Sequence, residues 1–454
     1  MQARQSLLAV IAKCLDSLRL RTYFCDWRPQ IAGPAVNPFK GKFMYMCVRL
    51  RLLIGVLSIS SLAVELQAQA KPRARELGVP FDGTPGPLNA ITDISGVEVG
   101  QVTLISGEGK LVVGSGPIRT GVTVILPRGR ASTDPVFAGW FALNGNGEMT
   151  GTTWVEESGF LEGPVSITNT HSVGVVRDAV VDWMVRRPTG QPWALPVVAE
   201  TYDGLLNDVN GFHVKREHAI RALDGASRGP VNEGAVGGGT GMVCFGFKGG
   251  IGTSSRKLDA QSGGYTVGVL VQCNAGRRSE LRIAGVPVGR EISDLTPCQT
   301  VPGLAGRMRE CNATALTPTD QRQDGMGSII VVVATDAPLV AHQLRRLAVR
   351  AALGVGVTGG KGENSSGDLM IAFSTANPLA ASDTGLVRAQ LLPNARMNPL
   401  FYATVQATEE AIVNAMVAAE TMTGANGVRV YGLPHDRLRS ALRKYNRLQE
   451  KQAP

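Results

Sequence analysis

The sequence predicts a layered α/β or α+β sandwich, and three observations predict it. From about residue 89 onward, short β-branched runs alternate with helix-length stretches. Hydrophobic residues make up 44% of the chain and charged residues 18%, which supplies a large core and excludes disorder as the general state. The 454 residues include 55 glycines without a Gly-X-Y period, so tight turns and close backbone approaches are frequent and collagen is excluded. At roughly 150 residues per domain, this length allows two to three domains or one large one.

Taken in order, Val122–Leu126 and Val165–Thr168 read as strands, and Ser172 is placed to cap a helix running to about Val185. Val197–Ala199 and Tyr265–Gln272 read as strands again. The clearest strand is Ile329–Ala334, apolar throughout, almost entirely β-branched and bounded by Gly327 and Asp336. An amphipathic helix follows from Ala337 to about Leu353, with Pro338 near its first turn. Leu369–Ser374 is a further strand, and Pro399 to about Thr423 an Ala-rich helix closed by the turn signal Asn426-Gly427. Residues 276–326 break this rhythm, being rich in Arg, Pro, Thr, Gln and Gly with no sustained period. A structureless stretch of that length inside a domain reads as functional, mobile or processed, and it ends directly before the clearest strand.

The N-terminus is of another kind. Val48–Ala63 is a basic stub followed by a short apolar run, ending in Ala68-Gln69-Ala70 before a polar stretch. That order is a secretory signal peptide cleaved after Ala70, which places the mature protein in the periplasm or outside the cell. A membrane-spanning helix is the competing reading, but the run falls short of the ~20 apolar residues a bilayer needs. Residues 1–43 show no folding pattern, and Met44 or Met46 makes a better start than Met1. The formal charge of +9 is concentrated here. Nine of the 46 basic residues and three of the 37 acidic ones fall in residues 1–70, so the rest of the chain carries only +3. A balance so near neutral leaves no electrostatic footprint for nucleic acid.

The five histidines (171, 213, 218, 342, 435) are scattered, with no His-x-x-x-His pair, and no Cys-x-x-Cys occurs, so no metal and no cofactor are expected. The Gly-x-Ser-x-Gly elbow of α/β-hydrolases is absent. A triad assembled from distant residues would use His171 as base, though a histidine beside a helix cap is ordinarily structural. Gly237–Gly241 lacks the Gly-Lys-Ser/Thr ending of a phosphate loop, so close backbone approach is the better reading there and at Gly249–Gly252. Cys298 and Cys311 lie in the irregular segment, where an exported protein can link them or leave two buried thiols.

Ser328 opens the clearest strand directly after Gly327. On pattern alone it is a turn residue. Cleavage of the Gly327–Ser328 bond would instead give it a free α-amine, with a pKa near 7.7–8 in peptides, beside its own hydroxyl. That amine can serve as the hydroxyl's general base without a histidine. Gly327 leaves room for the hydroxyl to attack the preceding carbonyl.

Several motifs then occur together and in order: Asn169–Gly174, Val198–Gly204, Gly237–Met242, Ala334–Leu339, Asn364–Asp368 and Phe373–Asn377. Over residues 85–435 the chain resembles the DmpA-type aminopeptidases, the L-aminopeptidase/D-Ala-esterase-amidases that include β-peptidyl aminopeptidases. The resemblance implies an α+β fold, a four-layer αββα sandwich similar to that of N-terminal-nucleophile hydrolases but differently connected. It implies self-cleavage at Gly327–Ser328 into an α chain (71–327) and a β chain (328–454) that stay together as one domain and assemble further. By the same resemblance Ser328 is the nucleophile, Ser366 and Asp368 orient it and its amine, Asn274 supplies the oxyanion amide with Tyr202 beside it, and Glu200 holds the substrate's amino group. An N-terminal ammonium calls for a fixed negative charge, and a charge-assisted hydrogen bond contributes about 1.5–3 kcal/mol. Asp368 stands where some members carry glutamate, and the 276–326 segment is long.

The expected activity is hydrolysis of N-terminal residues from short peptides, amides or esters, with no nucleic-acid partner and no membrane attachment after signal removal. Two alternatives differ in class. One is acyl transfer of the ornithine-acetyltransferase kind, whose enzymes use an intracellular threonine nucleophile; the other is an uncleaved, non-catalytic envelope binding protein.

Overall fold

The computed structural model describes residues 71–187, 193–301, 303, 308–312 and 327–450. The signal-like stretch and residues 1–43 lie outside the described residues. The chain opens with β1 (Glu98–Ser106), β2 (Ile118–Leu126), β3 (Val136–Ala142), α1 (Thr152–Ser158), β4 (Phe160–Leu161) and β5 (Val165–Asn169). Next come α2 (Val173–Val185), β6 (Val197–Thr201), α3 (Arg216–Asp224), β7 (Val243–Cys244), β8 (Phe247–Lys248), β9 (Gly250–Lys257) and β10 (Thr266–Asn274). After α4 (Val288–Glu291) and β11 (Cys298–Gln299), the last part holds β12 (Ser328–Thr335), α5 (Ala341–Val357), β13 (Gly367–Ser374), α6 (Asn398–Val417), β14 (Met422–Thr423), β15 (Val428–Val430) and α7 (His435–Lys444).

Two sheets organise these elements. One has the order β1-β2-β5-β6, and the other β4-β3-β13-β12-β10-β9. Within the second, β12 and β13 run parallel while β10 and β3 flank them antiparallel. The period-2 alternation of side chains assigns the layers. On β12, Ile330, Val332 and Ala334 join Ile125, Ile167, Val197 and Ala199 of the first sheet in a core between the sheets. Ile329, Val331 and Val333 point the other way, into a core shared with Leu344, Leu347 and Ala351 of α5 and Ala407, Ala411 and Ala415 of α6. The first sheet's outer face packs Val122, Val124 and Val198 against Val176, Ala179 and Val180 of α2 and Ala219 and Ala222 of α3. Helices thus cover both outer faces, giving the four-layer αββα sandwich. Burial on both faces explains why the β12 sequence is a continuous apolar run. Each fully buried valine or isoleucine contributes roughly 1.5–3 kcal/mol.

Several boundaries shift for physical reasons. The helix expected from Ala337 starts at Ala341. Ala337 precedes a proline, which disfavours the helical conformation, and its N–H is taken by the Thr335 hydroxyl. The helix expected to reach Thr423 stops at Val417, because Met422 and Thr423 pair with Val430 and Arg429 of β15. Ser172 occupies the expected cap position, but its side chain makes no cap hydrogen bond. Strands β1, β3 and β9 were not evident in the sequence pattern, as Gly, Thr, Ser and Arg interrupt their apolar runs.

The 276–326 segment is not structureless over its described part. Leu281, Ile283, Val286, Val288 and Ile292 are buried in the core under α5 and α6; the segment has no period because short turns and α4 carry it. Residues 304–307 and 313–326 lie outside the described residues. Cys298 and Cys311 form a disulfide, and Cys244 and Cys273 form a second one that the sequence pattern does not announce. Among the described residues no helix is long and apolar enough to cross a membrane.

The glycine-rich segments are sites of close backbone approach. A Cβ at Gly252 would overlap the Ala411 carbonyl of α6 and lie 2.6 Å from the Ala415 nitrogen, both rigid backbone. Gly252→Ala is expected to push α6 off the sheet and destabilise the protein by about 1–3 kcal/mol or more. Chemical denaturation checks this, and an unchanged midpoint would show that the helix shifts freely.

Candidate active site

One end of the six-stranded sheet gathers Ser328, Asn274 and the Ser366–Asp368 turn. Ser328 opens β12 and pairs with Asn274, the last residue of antiparallel β10, and with Gly367, the first of parallel β13. Its hydroxyl oxygen accepts a hydrogen bond from the Gly367 N–H at 3.2 Å. Ser366 donates to the Asp368 carboxylate at 2.6 Å. Among the described residues, neither side chain hydrogen-bonds Ser328. Burial pushes the Asp368 carboxyl up, opposed by hydrogen bonds from Ser366, the Ile329 N–H and Asn144. Gly327 carries no side chain for a clear reason: a Cβ there would overlap the Asn274 carbonyl and sit 2.9 Å from Ala275 Cα.

The Asn274 amide is fixed from both sides. Its Oδ1 accepts from the Val243 N–H at 2.7 Å, and its Nδ2 donates to the Tyr202 carbonyl at 2.9 Å. An amide nitrogen has two protons, so one remains for another acceptor. Tyr202 is 46% exposed, with its hydroxyl beside Gly204. Beneath it Asp203 is fully buried, held by Asn169 and Asn207 and pushed up to about 6 by burial.

Glu200, near the end of β6, comes from the opposite sheet. It is 3% exposed and accepts hydrogen bonds from the Thr170 hydroxyl and from the Glu148 N–H at 3.1 Å. Burial raises its carboxyl above the ordinary carboxylate range, and those hydrogen bonds oppose the rise. The loop between β3 and α1 joins the two sheets at this point. A Cβ on Gly147 would lie 3.0 Å from Gly367 Cα and 3.3 Å from a Glu200 oxygen. Asn144 donates to the Glu363 carbonyl and accepts from the Asp368 N–H, and Asn146 donates to the Ser365 carbonyl.

All seven residues singled out from the sequence therefore fall at one end of the two facing sheets, bridged by this loop. Asn144, Asn146, Glu148 and Thr170 were missed. The Asn144-Gly-Asn-Gly147 run is visible in the sequence, but only as turn chemistry. His171 is exposed and stacks on Phe212, 5.9 Å between centroids, so it does not support a histidine-based triad. Among the described residues no cluster of three His, Cys, Asp or Glu side chains is placed to hold a metal ion.

This geometry can be set beside known proteins. A family model described as peptidase family S58 matches residues 89–430. The β-peptidyl aminopeptidase of Sphingosinicella microcystinivorans is 57% identical over 378 residues, 83% of this chain and 93% of that one. Its counterpart from Sphingosinicella xenopeptidilytica is 50% identical over 86% of this chain and 96% of that one. Among solved structures, the L-aminopeptidase D-Ala-esterase/amidase of Ochrobactrum anthropi, described as a variant of the Ntn hydrolase fold, gives a TM-score of 0.73 at 47% identity, covering 83% of this chain and all of that one. A Burkholderia β-aminopeptidase gives 0.71 at 45% identity, covering 84% of this chain and all of that one.

The fold and these similarities define a serine hydrolase of the N-terminal-nucleophile type. The chain belongs to peptidase family S58 and is a serine aminopeptidase. Acyl transfer and a non-catalytic binding role are the weaker readings on this ground.

Proposed function

We propose that Ser328 first cleaves its own chain and then serves as the aminopeptidase nucleophile. Its hydroxyl attacks the Gly327 carbonyl, the C–N bond breaks, and the acyl group passes to the hydroxyl oxygen while the α-amine is released. Water hydrolyses that ester, leaving a Gly327 carboxylate and a free Ser328. The α-amine then takes the Ser328 hydroxyl proton as the oxygen attacks the carbonyl of a substrate's first residue, and returns it to the leaving amine. Water then attacks the acyl-enzyme ester, the bond to the Ser328 oxygen breaks, and the residue leaves as its carboxylate with the hydroxyl restored.

In this reading the free Asn274 proton meets the tetrahedral oxyanion, and the Tyr202 carbonyl holds the amide in place. Ser366 and Asp368 orient the nucleophile and its amine through the turn whose Gly367 N–H touches the Ser328 hydroxyl. Glu200 binds the substrate ammonium. The observation that carries the proposal is the pairing of Ser328 with Asn274 in a sheet end that faces Glu200.

The substrates are short peptides, amides or esters with a free amino terminus; the identity to two β-peptidyl aminopeptidases supports β-amino residues among them. We infer also that the protein is exported with cleavage after Ala70, which two disulfides support, and that αβ pairs assemble into a multimer.

Denaturing electrophoresis with N-terminal sequencing tests the processing. With 47.9 kDa over 454 residues, bands of about 27 and about 13 kDa are expected. The larger should begin Lys-Pro-Arg and the smaller Ser-Ile-Ile-Val. A single intact chain that hydrolyses substrate would rule out the α-amine as base.

A further inference from the structure

Beside Asn274 lies a piece of construction that the proposed chemistry does not use. β7 and β8 form a hairpin turned by Phe245 and Gly246, both at positive φ (50° and 70°), as in a type I′ turn. Glycine adopts that conformation freely, but a phenylalanine does not, so its surroundings must hold it there. The Phe245 N–H donates to the Ala275 carbonyl at 2.8 Å. Arg278 donates to the Phe245 and Gly246 carbonyls at 2.8 and 2.6 Å, and its guanidinium lies 3.3 Å from the centre of the Phe247 ring.

The other end of the hairpin is held by a buried lysine, whose amine burial pushes down to about 7. Lys248 has no exposed surface, and its Nζ donates to the carbonyls of Met242 (2.7 Å) and Gly249 (2.9 Å) and lies 3.4 Å from that of Gly239. The Met242 carbonyl also accepts from the Gly249 N–H at 3.0 Å. That carbonyl and the Val243 N–H belong to one planar peptide unit and point in opposite directions. Fixing the carbonyl on Lys248 therefore aims the N–H at Asn274 Oδ1. The two hydrogen bonds accepted by that carbonyl also polarise the unit, strengthening the N–H as a donor, and the effect passes through the Asn274 amide to its free proton. The Cys244–Cys273 bond ties the residue after Val243 to the residue before Asn274.

We infer that this hairpin is a positioning element of the oxyanion donor, with Lys248 and the Cys244–Cys273 bond acting through the Met242–Val243 peptide on the Asn274 amide. The inference rests on the reading of Asn274 as that donor.

The test compares kcat and KM per matured site for Asn274→Ala, Lys248→Met, the pair Cys244→Ala with Cys273→Ala, and each of the latter combined with Asn274→Ala. Asn274→Ala should lower kcat about 10²–10³-fold. Lys248→Met and the cysteine pair should each lower kcat about tenfold with KM little changed. In the Asn274→Ala background neither should cost more than about twofold, since their effect passes through the missing amide. Equal losses in both backgrounds, a change in KM alone, or no loss would overturn the inference while leaving Asn274 as the donor. An unchanged kcat in Asn274→Ala alone would instead remove the donor reading and the inference with it. Should the substituted chains fail to mature, matured Cys298→Ala/Cys311→Ala enzyme, expected to retain kcat, is reduced until Cys244 and Cys273 count as free thiols. A loss of kcat that reoxidation restores supports the inference, and an unchanged kcat overturns it.

Discussion

Ser328→Ala is expected to yield one uncut chain of about 40 kDa with no measurable aminopeptidase activity. In the proposed mechanism both losses follow from one atom, because the same hydroxyl would attack the Gly327 carbonyl and later the substrate. Removing a nucleophile of this kind costs on the order of 10⁶ in kcat. The fold should survive. The hydroxyl's hydrogen bond in the uncut chain comes from the Gly367 N–H, and the β12 ladder does not depend on it. Thermal unfolding within a few degrees of the parent would separate lost chemistry from lost structure. An alanine variant that is cut at 327, or that turns over substrate, would end the mechanism.

Glu200→Gln is expected to lower kcat/KM by about 30-fold to several thousand-fold, the ~2–5 kcal/mol that follows from depriving a buried charge of its partner. The glutamine oxygen can still accept from the Glu148 N–H while its amide nitrogen donates to the Thr170 hydroxyl, which turns to accept, so in the proposed reading the lost interaction is the one with the substrate ammonium. The pH profile supplies an independent sign. Burial raises the Glu200 carboxyl, so as pH falls it takes up a proton at a higher pH than an ordinary glutamate. In the acid limb of kcat/KM, which reports the free enzyme, protonation of the Ser328 amine should therefore be joined by a second step from Glu200 above the usual carboxylate range, and in Glu200→Gln only the amine's step should remain. An unaltered limb in that variant, or equal hydrolysis of N-acetylated substrates, would reassign the residue.

Much of this arrangement was legible before any coordinates. Strands buried on both faces, such as Ile329–Ala334, declare themselves by composition, and the two-layer core follows from several such strands alternating with helices. The less evident strands, β1, β3 and β9, carry glycines where they meet other backbone, and β1 and β9 polar residues as well, which hides the alternation. Ser328 could be singled out because the chemistry proposed for it is local: a serine after glycine at the start of a strand. Glu200, Asn274, Ser366 and Asp368 were legible only through resemblance, since nothing within a single sequence brings residues 200, 274 and 368 together. Asn144, Asn146 and Lys248 stayed hidden for a different reason. They act through backbone carbonyls and N–H groups, which leave no mark on the residue pattern.

The order β4-β3-β13-β12-β10-β9 has a consequence for the history of the molecule. A cut before β12 would assign β13 and β12 to one polypeptide and β3 and β10, on either side of them, to the other. The smaller piece would be threaded through the middle of the larger one's sheet, hydrogen-bonded along both edges. Its release would require the central sheet to come apart, so the cut need not loosen the enzyme. The return path is different. A single chain finds this interleaving with its strands tethered, whereas two separated pieces would have to find it by collision, each exposing unpaired apolar edges meanwhile. Maturation would thus make folding a one-time event, with the intact chain acting as a scaffold for a product that cannot readily be rebuilt from its parts.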